Sequence, residues 1–148
     1  MSVDASRAHR KLRALNVALR DWRPFWPVAM RIIRAWFGLQ FESEGAFGGA
    51  KWAPLTPDYA AYKASQYPGK SILVATGKLK RAATAPTWHG RPTSLEIVIA
   101  DAVAIYHQEG TSSMPARPII PHEFPLSAHE ELRIAAELYL TEAVRRLL

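Results

Sequence analysis

At 148 residues, with 49% hydrophobic side chains, 22% charged ones and five Trp, the chain fits one domain with a core of its own and is too apolar for whole-chain disorder. It contains no Cys, which excludes disulfides, zinc–thiolate centres and thiol nucleophiles. Net charge is +6, and residues 59–95 hold no Asp or Glu while Lys63, Lys70, Lys78, Lys80, Arg81 and Arg91 all fall there. Such a basic field suits phosphates or an acidic protein surface. The opening MSVDASRAHRKLRAL has no apolar core of signal-peptide type, and Arg31 and Arg34 break the apolar stretch after Trp26. No membrane span and a soluble cytosolic product are therefore expected. No helix-turn-helix, zinc finger or aromatic RNA-reading sheet is evident.

In chain order, Ala5, Ala8, Leu12, Leu15, Leu19, Trp22 and Trp26 recur at steps of three and four. They predict a helix with Arg10, Lys11, Arg13 and Arg20 toward solvent. Pro24 and Pro27 interrupt it, and a second helix is expected over about 24–41, with Phe25, Ala29, Ile32, Ile33, Trp36 and Phe37 on one face. Its partner is the rest of the domain or a neighbouring copy. Residues 42–56 read as a Gly-rich loop whose Phe47, Trp52 and Leu55 need burial. Thr56-Pro57 then starts a short helix, with Thr56 capping it, to about residue 66. Thr76-Gly77 opens another short helix or turn holding Leu79. Beyond Pro86 the period changes to two: Thr87 to Gly90 and the run around Leu95 to Ile99 predict paired strands, joined through Gly90-Arg91-Pro92. Asp101-Ala102 reads as a turn, and Val103 to His107 as a further strand that ends at Gly110, where a positive φ would turn the chain. Ser127 and Glu130 have capping-box spacing for a last helix, with Arg145 and Arg146 in its final turn. The expected fold class is α+β: an N-terminal helical pair, a small mainly antiparallel sheet and a C-terminal helix. A single domain over 1–148 divides into a helical arm (1–41), a loop and sheet core (42–122) and the final helix (123–148).

The chemistry is sparse. In a strand His107 and Glu109 would share a face, but zinc needs three or more protein ligands and no HExxH completes the set. Ser112, Ser113 and Ser127 have no nucleophile-elbow context, and Gly45, Gly48 and Gly49 match no phosphate loop. No catalytic residue, metal or cofactor is expected. Contact residues are better candidates. Arg117 sits between Ala116 and Pro118 in a loop stiffened by Pro115, Pro118 and Pro121, which suits a docking surface.

The order of these segments carries a resemblance. KWAPLT (51–56), ILVATGKL (72–79), YHQEG (106–110) and MPARPII (114–120) follow one another between helical ends. In that order, through Trp52, Pro54, Leu55, Leu73, Thr76, Gly77, Leu79, Tyr106, His107, Gly110, Ala116, Arg117 and Pro118, the chain resembles the phage virion-morphogenesis family of tail-completion proteins over about 35–120. Glu109, where a bulky apolar residue is common, and Ile119-Ile120, where Phe-Leu is frequent, depart from the pattern. The resemblance implies a structural virion protein, made in the host cytoplasm, that completes the tail and joins it to the head. It implies copies assembled as a ring, commonly of six, next to tail-tube and head-connector proteins, with possible contact to genome DNA. Interface candidates are then Arg117, Pro118, Tyr106, His107, Gly110 and Trp52, and Lys63 to Arg91 would face an acidic neighbour or DNA. The alternative is a non-specific DNA-binding module using that basic stretch.

Overall fold

The computed structural model describes residues 5–147; the first four residues of the expected arm and Leu148 of the last helix lie outside them. The order is α1 (Ala5–Arg20), α2 (Trp26–Glu42), a 3-10 turn (Ala46–Gly48), α3 (Pro57–Gln66), α4 (Lys78–Thr84), β1 (Thr87–Gly90), β2 (Leu95–Val98), α5 (Ala104–Glu109) and α6 (Leu126–Leu147). This is the α+β architecture expected, with the sheet reduced to one antiparallel hairpin in which Thr87 faces Val98 and Gly90 faces Leu95.

The elbow between α1 and α2 follows from its prolines. Pro27 lies in the first turn of α2, where a missing N–H leaves no helical bond unmade. Trp22, Phe25 and Trp26 gather there with Tyr139 of α6. The Trp22 amide donates to the Pro92 carbonyl at 2.8 Å, and Trp26 Nε1 donates to the Arg91 carbonyl at 2.7 Å. The hairpin tip is thus tied to the elbow.

Helix α2 is the spine. Ile32 and Trp36 pack against Ala128, Phe124 and Leu132 of the α6 region, and Trp36 Nε1 donates to Glu131 at 2.8 Å. One turn further on, Phe41 enters a second cluster with Trp52, Leu79, Ala83 and Ile119. Ile72, Leu73 and Val74 flank that cluster, so the apolar run at 72–74 serves as a wall without regular structure. Gln40, on the buried side of α2, donates Nε2 to the Pro118 carbonyl at 2.9 Å and accepts from the Gly48 amide at 2.9 Å.

Three local expectations are corrected. Val103 to His107 is not a strand: Val103 ends a turn and Ala104–Glu109 is helical. Asp101 turns the chain by accepting the Val103 amide on Oδ1 and the Ala104 amide on its carbonyl. The inward residues are then Ala104, His107 and Gln108, a helical spacing, while the alternating Val103 and Ile105 both face solvent. The α6 helix starts at Leu126, so Ser127 lies inside its first turn, and Glu130 holds Arg133 instead of closing a capping box. Pro125 supplies the start, its carbonyl accepting from Ala128 and His129. Thr56 is the N-cap residue of α3 by position, but its side chain makes no capping bond.

Replacing Gln40 with Leu should lower stability by about 1–2 kcal/mol, since it removes two hydrogen bonds and leaves the Gly48 amide on the Gly45 carbonyl and the Pro118 carbonyl on Trp52 Nε1. Urea denaturation is expected to show an earlier midpoint with an unchanged slope.

Candidate functional site

The proline-rich strap at 115–121 cannot form a ladder, because Pro115, Pro118 and Pro121 have no N–H. Its remaining groups are met one at a time. The Arg117 amide donates to the His107 carbonyl at 2.7 Å. Gln108 Oε1 accepts both the Ile119 and Ile120 amides at 2.9 Å, while its Nε2 donates to the Ile120 carbonyl. One glutamine side chain therefore acts as a substitute strand edge.

On its other side the strap meets the irregular segment after Lys51. Arg117 is only 5% exposed, and its Nε and Nη2 donate to the carbonyls of Ala53 at 2.7 Å and Pro54 at 2.9 Å. Trp52 Nε1 donates to the Pro118 carbonyl at 2.9 Å. Gly110 ends α5 with φ +76°, and a Cβ there would lie 2.8 Å from the Ala116 amide nitrogen and 2.9 Å from the Met114 carbonyl oxygen. The positive φ expected at Gly110 is present, and the tight return it permits brings the strap back onto α5.

Against this joint lies a cavity of about 540 Å³ whose lining includes Lys63, Leu73, Leu79, Asp101, His107 and Arg117. Lys63 is 5% exposed and donates Nζ to the carbonyls of Lys70 and Ser71. Burial holds its ammonium below the ordinary lysine pKa, opposed by Glu44. Asp101 takes Lys78 at 3.8 Å. His107 lines the same wall with a buried Nδ1 that has no hydrogen-bond partner among the described residues. Its pKa lies below the usual histidine value, first through burial, then through the positive charge of Arg117, with Asp101 opposing. Lys63 and Arg117 are thus engaged with main-chain carbonyls, which braces the segments around the cavity.

The sequence-derived sites divide accordingly. Arg117 and Trp52, expected at an interface, are buried inside their own subunit. Pro118 is half-buried, with its carbonyl doubly engaged. Tyr106 is exposed, and His107 and Gly110 belong to the joint. Lys63 is withdrawn from the basic surface. Lys78 is paired with Asp101, Lys80 lies 4.0 Å from Glu42, and Arg81 donates Nη1 to the Thr76 carbonyl. Lys70 and Arg91 are exposed. His107 and Glu109, two residues apart on a helix, point to different sides instead of sharing a face. Sequence reasoning missed Gln40 and Gln108, and it read Asp101 as a turn without its place in the cavity wall. The signal available for Gln40 was a polar residue one helical turn beyond Trp36 on an apolar stripe.

Among the described residues no three His, Asp or Glu side chains gather as metal ligands, and no helix is long and apolar enough to cross a membrane. Neither family models, nor curated proteins, nor solved structures provide a match to this chain.

A lysine at position 117 has one nitrogen and cannot reproduce the separate Nε and Nη2 donors that meet Ala53 and Pro54. Arg117→Lys should therefore cost about 1.5–3 kcal/mol of stability, read from chemical denaturation. For His107 the sign is fixed by its depressed pKa in the fold. The unfolded chain takes up a proton near pH 6.5 that the native state resists, so this contribution is complete above that pH and is lost as pH falls toward the folded value. Stability should drop between pH 7 and pH 5, and His107→Asn should flatten that decline.

Proposed function

We propose that this chain is a structural subunit of a phage neck, completing the tail and joining it to the head by assembling with copies of itself. One observation carries the reading. The four segments whose order gives the resemblance to tail-completion proteins close on a single joint, although up to some 60 residues of chain separate them. Trp52, Ala53 and Pro54 from the first meet Arg117 and Pro118 from the last. His107 and Gln108 from the third hold the strap, and Leu79 with Leu73 from the second fills the core beneath. We read motifs that serve one joint as one unit, and that supports the resemblance.

The surface fits an assembling subunit. Leu12, Val17 and Leu19 of α1, Ile105 and Tyr106 of α5, and Ile134 and Leu138 of α6 all keep large apolar side chains in solvent. A basic face for duplex DNA has less support, because Lys63 is buried and Lys78 and Lys80 stand near carboxylates. Neighbours in this reading are the tail tube and the head connector.

Sedimentation of the purified protein should show a discrete multimer that forms with rising concentration. Particles made without the protein should accumulate as separate tails and filled heads. A chain that stays monomeric at its highest soluble concentration and is missing from particles and assembly intermediates would refute the proposal.

A further inference from the structure

Helix α1 is docked off its own apolar stripe. Ala5, Ala8, Leu12, Leu15 and Leu19 form that stripe, yet the half-buried residues of α1 are Lys11, Ala14, Leu15 and Ala18. At 100° per residue the two faces differ by roughly a quarter turn. Packing of α1 on α6 therefore leaves Leu12 65% and Leu19 46% exposed. Arg13 and Arg20 border the stripe on the side away from α6. A helix that used its stripe for its own fold would bury those leucines instead.

A second uncovered apolar patch lies on α5. Ile105 is 51% and Tyr106 55% exposed, with Val103 and Ile120 beside them. Glu109 lies one helical turn after Ile105 on α5, and Glu123 follows Ile120 by three residues; both are exposed and neither is in an ion pair with a described residue. The two regions are oppositely charged. Residues 5–41 carry eight Arg and Lys against Asp21 alone, whereas residues 92–132 carry six Asp and Glu against Arg117 alone, and Arg117 is buried.

We infer that the α1 stripe of one copy docks on the α5 patch of the next, Leu12 and Leu19 covering Ile105 and Tyr106, with Arg13 and Arg20 meeting Glu109 and Glu123. Charge decides the occupant. Pairing α1 with α1 would set five cations against five, while α1 on α5 sets cations against carboxylates. Different patches meeting on successive copies make a heterologous contact, the kind that propagates into a ring. The inference rests on the assembly reading and names the surfaces that reading needs.

A charge exchange tests it. Arg13→Glu with Arg20→Glu sets carboxylates against Glu109 and Glu123 at the contact; Glu109→Arg with Glu123→Arg sets cations against Arg13 and Arg20 there. Each variant alone should sediment as a monomer, and an equimolar mixture should regain the multimer. Leu12→Ser with Leu19→Ser should weaken association at least about tenfold, with circular dichroism unchanged because both leucines are exposed. A wild-type protein that associates while all these variants associate equally well overturns this contact and leaves the assembly reading standing. A wild type that never associates overturns both. Flotation of the wild type with phosphatidylglycerol vesicles, lost in the Leu12→Ser/Leu19→Ser variant while its self-association persists, would assign the stripe to a lipid surface and refute the copy-to-copy contact.

Discussion

The carbonyls of Ala53 and Pro54 lie in a segment with no strand or helix to answer them, beside a strap whose three prolines cannot donate. Arg117 resolves both problems at once. Its amide ties the strap to α5 and its guanidinium ties it to the Trp52 segment. A buried cation is stable only where its donors are satisfied, so the charge that bridges these segments also fixes their spacing. Trp52 and Gln40 then converge on one Pro118 carbonyl from two further elements, and the lower core of Phe41, Leu79 and Ile119 closes beneath.

This joint changes what the conspicuous residues mean. Arg117 in a proline-stiffened loop looks like a hand extended to a partner; in the fold it grips its own chain. Lys63 likewise anchors the turn at Lys70 and Ser71. Surface available for other molecules lies elsewhere, on the outer faces of α1, α5 and α6, where apolar side chains remain in water.

Much of the fold was legible because its signals are local. Proline pairs placed the elbow, the apolar stripes placed α1, α2 and α6, the change of period placed the hairpin, and Gly110 marked a positive φ. The α5 error was local too. Val103, Ile105 and their neighbours alternate as a strand would, and only the Asp101 turn and the inward set of Ala104, His107 and Gln108 reveal a helix.

Periodicity and turn chemistry thus determined where helices and strands form, since φ and ψ preferences depend on a few adjacent residues. Which face of α1 meets α6, whether Arg117 points outward or in, and how Gln40 and Gln108 serve as substitutes for absent backbone pairing were decided by contacts between segments far apart in the chain, from 11 residues for Gln108 and 78 for Gln40 to the whole span between α1 and α6. Those depend on which unsatisfied carbonyls and amides happen to face one another after packing, and no spacing along a chain carries that information. The tertiary fold chose the partners because only it brings their desolvation and their hydrogen bonds into the same place.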